Sequence, residues 1–240
     1  MNHLDKLIEL VDCKTVDSWA SRLFSLVESF GLAGVVYGIK RSKAAEFSSA
    51  FIKTNLSTTW LHRYEHRQFY GIDPIIDHCM RHKLPLIWDE RTYVTPIQRV
   101  LYEDAFDHGL RSGIAFPVHG PDGQFGVSSF VSNEANAGSM FACKKLHASL
   151  SMLSDYATET SIAFSASHFN SNRAINLTAR ELECLTLLGI GKTSWEISRI
   201  LTCSEATVNF HVYNLIRKFG VRTRQQAVIK GICHGLIAPT

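Results

Sequence analysis

The chain has 240 residues, 45% of them hydrophobic and 20% charged, with a formal net charge of +3. That balance excludes an intrinsically disordered chain, and the length suits two domains, each with its own core. No apolar run approaches the roughly 20 residues of a membrane span, and MNHLDKLIEL lacks the long apolar segment of a signal peptide, so a cytoplasmic protein is expected.

Residues 4–11 and 16–30 read as helices, with Thr15 placed to cap the second. Gly31 and Gly34 break the pattern, and strands are expected over 35–39 and 47–53. Ser57 stands ahead of a helix carrying Trp60, Leu61 and Tyr64. Asp73-Pro74 is a second helix start, with Asp at the cap and Pro in the first turn. A short strand over 86–88 follows Pro85, and a helix over 96–108 ends at Gly109. Strands over 114–118 and 125–131 flank HGPDG, a turn-rich hairpin joint, and a long helix follows over about 141–164. The expected front domain, residues 1–165, is an α/β/α sandwich with one largely antiparallel sheet.

Residues 166–176 are rich in Ser and Asn and read as a linker. Thr178 and Glu181 form a capping-box pair that opens a second domain, residues 177–240. The fold class is therefore α+β, with an all-α module at the C-terminal end. Charge divides the same way. Residues 1–165 hold 16 basic and 18 acidic side chains, a balance of −2, whereas 166–240 hold nine and four, a balance of +5. A basic module joined to a near-neutral one suits nucleic-acid binding.

GKTSWEISRILTCSEATVNFHVYNLIRKFG (191–220) carries that chemistry. Ile197, Ile200 and Leu201 form an inward stripe on a first short helix. Ser204 caps the second, with Glu205 near its positive end. Val208, Val212, Leu215 and Phe219 step by four, three and four along one buried face. Asn209, Phe210, Tyr213, Asn214 and Arg217 then face out. A helix of this width fits the DNA major groove, where Asn can pair bidentately with adenine. Lys192, Arg217, Lys218, Arg222 and Arg224 surround the unit and suit phosphate contacts. An ordinary two-helix packing unit with a solvated face shares this pattern.

The blocks LTARELECL (177–185), GKTSWEIS (191–198), SEATVNFHVYNLIRKFGV (204–221) and TRQQAV (223–228) resemble the DNA-binding domain of the LuxR family of transcription regulators. The resemblance implies a four-helix helix-turn-helix domain that binds DNA as a dimer. Its base-reading slots fall on Asn209, Phe210 and Tyr213, with Lys192, Thr193, Ser204, Thr207, Arg217, Lys218 and Arg224 completing the DNA-binding set. In the front domain, Trp60, Tyr64, Asp73, Trp88 and Ser129 are amphipathic or polar groups within apolar sequence; alone, the aromatic pair reads as core and Asp73 as a helix cap. However, TTWLHRYEHRQFYGIDPIIDHC (58–79), PLIWDE (85–90) and GLRSGIAFPVHGPDGQFGVSSF (109–130) resemble the autoinducer-binding domain of the same family, nearest to its LasR-like receptors. Trp60, Tyr64, Asp73, Pro74, Trp88 and Gly113 occupy family positions.

The implied ligand is an N-acyl-homoserine lactone of medium to long chain. Trp60 offers an indole N–H to the lactone carbonyl, and ionised Asp73 accepts from the amide N–H. Tyr64 or Ser129 donates to the amide carbonyl, and Trp88 packs on the lactone ring. Val36, Ile52, Ile75, Ile76 and Val127 sheathe the tail. Leu56, Leu61 and Ile75 stand where LasR-like receptors often carry polar groups, so less dependence on a 3-oxo substituent is expected.

The resemblance implies a quorum-sensing transcription activator. It would bind its lactone, pair as a homodimer, grip an inverted-repeat promoter site and work with RNA polymerase. The alternative is a receptor-like protein acting mainly by heterodimerising with another regulator. A phosphorylation-controlled front domain is disfavoured by scattered carboxylates and by the hairpin over 112–131. An enzyme is disfavoured because no G-x-S-x-G motif appears. No CxxC or HExxH occurs among the six cysteines and eleven histidines, and His78 stands too close to Cys79 for a typical zinc pair. Buried free thiols, no metal site and no cofactor are expected.

Overall fold

Successive side chains of a strand point to opposite faces of its sheet, and that alternation decides the architecture of the front half. The computed structural model describes residues 3–43, 45–121, 123–135, 137–171 and 175–238. Its strands are β1 (Gly34–Lys40), β2 (Phe51–Thr54), β3 (Leu86–Trp88), β4 (Ser112–His119) and β5 (Phe125–Ser132). They form one sheet in the order β2-β1-β5-β4-β3, with every pairing antiparallel. β5 is buried along its whole length, as a central strand covered on both faces must be.

The helices of this half are α1 (His3–Val11), α2 (Val16–Ser29), α3 (Thr58–His66), α4 (Pro74–Arg81), α5 (Pro96–Asp107), α6 (Gly138–Ala142) and α7 (Lys144–Ser171). Val35, Tyr37, Ile39, Ile114, Phe116, Val118 and Phe130 meet α1, α2, α6 and α7 on one face of the sheet. Ala115, Phe125, Val127 and Val131 belong to the other face, under α3, α4 and α5. The result is the expected α/β/α sandwich. Helix starts follow capping chemistry. Thr15, Ser57, Asp73 and Thr95 each accept a backbone N–H of the first turn, and prolines follow Asp73 and Thr95 directly.

Three expectations change. The strand over 47–53 is a short 3₁₀ turn, Phe47–Ser49, followed by β2. Phe47 leaves the sheet to stack on Tyr70, with centroids 4.3 Å apart and rings within 8° of parallel. The helix over 141–164 is two helices, because Cys143 takes an extended ψ of 117° between α6 and α7. Then α7 runs on to Ser171, through the start of the expected linker. Just before that linker, Ser161 and Ser165 are buried, and their hydroxyls return to helix carbonyls of Thr158 and Ile162. Phe169, also buried, joins the first core. Residues 172–174 of that linker, and Asp122 of the hairpin joint, lie outside the described residues.

The C-terminal half consists of α8 (Ala179–Gly189), α9 (Ser194–Ile200), α10 (Glu205–Phe219) and α11 (Arg224–Cys233). Cys184, Leu185, Leu188, Ile197, Val208, Val212, Leu215, Phe219 and Ala227 form its core. Thr178, Thr193, Ser204 and Thr223 cap the four helices, and Gly220 ends α10 in the left-handed region at φ 61°. The halves touch just after β1. The Arg41 guanidinium donates to the Gly235 carbonyl and lies over the Phe169 ring, while the Ser42 hydroxyl donates to the Cys233 carbonyl at 3.1 Å.

Candidate functional site

The second face of the sheet does not pack solid against its helices. A cavity of about 300 Å³ lies between them. Every second residue of β1 supplies its floor, Val36, Gly38 and Lys40, joined by Ile52 of β2 and by Phe125, Val127, Ser129 and Val131 of β5. The roof is Trp60, Leu61 and Tyr64 from α3, Asp73 and its followers Ile75, Ile76 and Met80 on α4, and Leu101 and Ala105 from α5. Trp88 of β3 and Tyr93 close one side. Gly113 permits this. A Cβ there would lie 2.6 Å from the Trp88 ring, so only glycine leaves room for the indole.

Polar groups gather at one end. Asp73 is 9% exposed, and its carboxylate accepts the Ile75 backbone N–H and the Tyr64 hydroxyl, each at 2.8 Å. Burial pushes its pKa up from 3.8 to about 6, against the bonds from Tyr64 and the backbone of Ile75 and Ile76. Burial, then the Asp73 charge, raise the Tyr64 and Tyr93 hydroxyls well above their ordinary range. The Trp88 indole donates to Ser129 Oγ at 3.3 Å. Trp60 sits edge-on to Tyr64 at 5.7 Å and stacks on Phe69 at 6.4 Å.

All ten residues expected at a ligand site, Trp60, Tyr64, Asp73, Trp88, Ser129, Val36, Ile52, Ile75, Ile76 and Val127, therefore stand on the wall of one cavity. Sequence reasoning passed over Tyr93, Leu101, Ala105, Leu110, Phe47, Tyr70 and Lys40, which also line it. The four-residue step from Leu101 to Ala105 was a usable signal, whereas Tyr93 and Leu110 are single residues outside any periodic element. Geometry also narrows one role. The Tyr64 proton is committed to Asp73, which leaves the Ser129 hydroxyl as the donor whose own proton is open.

Among the described residues, no group of three His, Cys, Asp or Glu side chains could hold a metal ion. His78 and His82 stack at 4.6 Å on neighbouring turns, and His78 Nε2 is engaged with the Leu84 carbonyl at 2.9 Å. Among the described residues, no helix is long and apolar enough to cross a membrane.

On the C-terminal module, α9 and α10 make the helix-turn-helix. Phe210 and Tyr213 stand out from α10, 61% and 63% exposed. Asn209 is held from behind. Arg224 donates to Ser194 Oγ at 3.2 Å, and Ser194 donates to Asn209 Oδ1 at 2.8 Å, which leaves the Asn209 amide hydrogens facing outward. Thr193 and Ser204 are caps, Thr207 shares a 2.8 Å bond with Ser204, and Arg217 is exposed. Lys192 pairs with Glu196 at 3.0 Å. Lys218 is placed differently from expectation. Its ammonium donates to buried Glu181 at 2.7 Å and to the Asn176 carbonyl at 2.8 Å, so it ties α10 to the start of α8 rather than waiting for a phosphate. Burial pushes the Glu181 carboxyl up, but the bonds from Lys218 and Thr178 outweigh it and hold the group below its ordinary value.

Residues 15–161 match the family described as "Autoinducer binding domain", and residues 175–230 match "Bacterial regulatory proteins, luxR family". The chain is 31% identical to the transcriptional activator protein VanR of Vibrio anguillarum, over 85% of this chain and 84% of that one. It is 32% identical to the transcriptional activator protein AhyR of Aeromonas hydrophila, over 98% of this chain and 93% of that one. The crystal structure of Escherichia coli SdiA shares the fold with a TM-score of 0.71 at 23% identity, over 98% of this chain and 97% of that one. The narrower likeness to LasR-like receptors rests on the quoted residues alone.

Proposed function

The chain belongs to the luxR family of bacterial regulatory proteins that carry an autoinducer-binding domain, and from that premise we propose that it activates transcription in response to an N-acyl-homoserine lactone held in the front-domain cavity. One observation carries this reading. The cavity has a polar end built from Asp73, Tyr64, Ser129, Trp88 and Trp60, and a mostly apolar remainder. A lactone joined through an amide to an alkyl chain has that same division. Asp73 accepts the amide N–H, Ser129 donates to the amide carbonyl, Trp60 donates to the lactone carbonyl, and Trp88 packs on the ring. Each polar ligand atom needs such a partner, since burying one unpaired costs about 1–3 kcal/mol. Val36, Ile52, Ile75, Ile76 and Val127 take the tail, at about 0.8 kcal/mol for each buried CH₂. Leu61 and Ile75 present hydrocarbon in the wall, with Leu56 packed behind, which suits unsubstituted or 3-hydroxy chains better than a strict 3-oxo requirement.

The lactone binds the folded state and stabilises it by mass action. Residues 1–165 serve as the sensing domain and 177–240 as the reading domain. Two chains pair, with α7 and α11 as the candidate surfaces, and set two α10 helices in successive major grooves of an inverted repeat next to RNA polymerase. Asn209, Phe210 and Tyr213 read bases, while Lys192, Thr193, Ser204, Thr207, Arg217 and Arg224 hold the backbone. The test is selection of bound duplexes from a random DNA pool by the full chain, produced with and without a panel of lactones. The expected result is an inverted repeat enriched only with lactone. Enrichment of a single half-site, or the same enrichment without lactone, contradicts the scheme.

A further inference from the structure

The register between β1 and β5 gives the cavity floor a direction. Val36 lies opposite Ser129, Gly38 opposite Val127 and Lys40 opposite Phe125. Ser129 marks the polar end, so Lys40 and Phe125 mark the far end. Four residue steps of antiparallel strand separate Ser129 from Phe125, about 13 Å. Lys40 is an unusual terminus for an apolar channel. Its ammonium donates to the Ala45 carbonyl at 2.7 Å and to the Lys43 carbonyl at 3.2 Å, and so draws the turn after β1 across the end of the strand. Both partners are neutral carbonyls, and burial lowers the Lys40 pKa.

We propose that Lys40 is the length stop of this cavity, admitting straight acyl chains up to about ten carbons and rejecting longer ones, because an extended chain advances about 1.2 Å per bond. This rests on the lactone reading given above. Up to the stop, each added methylene is buried against Gly38, Ile52 and Val127 and raises affinity about fourfold. The next methylene meets the Lys40 stem. It must fold back or push the ammonium off its two carbonyls, and an apolar chain end offers that cation no replacement bond. Shortening the side chain opens the end of the channel.

The test uses the full chain and its Lys40→Ala and Lys40→Met variants. Each is produced with an equimolar mixture of unsubstituted lactones of six to fourteen carbons, and the lactone retained per chain is measured by mass spectrometry. In the unaltered chain, retention should rise to about ten carbons and then fall. Lys40→Ala should move the maximum to longer chains and raise the ratio of dodecanoyl to decanoyl lactone about fifteenfold, the gain from two buried methylenes. Lys40→Met keeps a flexible stem but loses both carbonyl bonds, and should shift the ratio in the same direction by less. It also reads the ratio if Lys40→Ala gives no soluble chain. The same length ranking in the variants as in the unaltered chain overturns the length stop alone. Retention of no lactone of any length by the unaltered chain overturns the lactone reading, and this proposal with it.

Discussion

One sheet has two faces with opposite fates. On the first, Tyr37, Phe130 and Ile114 are fully buried against Trp19, Phe141 and Leu153, and the Trp19 and Tyr37 rings meet edge to face at 5.3 Å. On the second, the same strands present Val36, Gly38, Val127 and Ser129 to a cavity. The difference is one residue of register in each strand. Large side chains fill the first face, whereas Gly38 and the short Val and Ser side chains leave the second hollow. The packed face holds the domain together. The hollow face leaves apolar surface unfilled, which in the proposed function a ligand would cover.

The largest effect should come from breaking the packed face. Phe130→Ala should cost about 3–5 kcal/mol in urea unfolding, with or without lactone. Val127→Ala, three residues away on the hollow face, should cost well under half of that, and should instead show as weaker lactone binding. Equal losses from both would erase the contrast between the faces.

Asp73→Asn sharpens it further. The variant keeps a capping oxygen for Ile75 but removes a carboxylate acceptor, and lactone affinity should fall by about 1–3 kcal/mol, roughly five- to 150-fold. The pH dependence has a definite sign. Asp73 rises from 3.8 to about 6 on folding, so the native state binds more protons across that window and its stability falls as pH rises from about 4 to 6. Asp73→Asn lacks this loss. It should be more stable than the unaltered chain near pH 7.5, with the advantage fading as pH drops below about 6. Lactone affinity of the unaltered chain should weaken over the same descent, since a protonated carboxyl accepts less well. Isothermal titration and urea unfolding between pH 5 and 8 read both.

In the C-terminal module, Lys218→Ala should lower unfolding stability by about 1–2 kcal/mol, because it strands buried Glu181, and should leave the salt slope of DNA binding unchanged. Arg217→Ala should do the reverse, reducing that slope by about one with little change in stability. The smallest effect should be a gain. Thr202, in the turn between α9 and α10, has a φ of 54°, which a β-branched side chain tolerates poorly. Thr202→Asn should therefore stabilise the module by about 1 kcal/mol or less in thermal unfolding.

Much of this architecture was legible in the residues, for reasons that also set the limits. Period-two strands and capped helices carry local signals, so β1, β4, β5 and the four helices of the C-terminal module lie within a few residues of expectation. Long-range partners leave no such mark. Lys218 has the spacing of an outward basic residue, and nothing nearby announces Glu181, 37 positions earlier. Residues 166–171 have the composition of a linker, yet Phe169 is buried in the first core and the helix continues. Among cavity residues, the named motif positions Trp60, Asp73 and Trp88 were readable, whereas Tyr93 and Lys40 gain their place only from tertiary closure.

Amide hydrogen exchange of the full chain, with and without a saturating decanoyl lactone, tests the central claim most directly. The account predicts slower exchange in α3, α4, β5 and the turn after β1, around the cavity, with stabilisation of about 2.7 kcal/mol at a hundredfold excess over the dissociation constant. Unchanged exchange around the cavity, or protection confined to α8–α11, would contradict it.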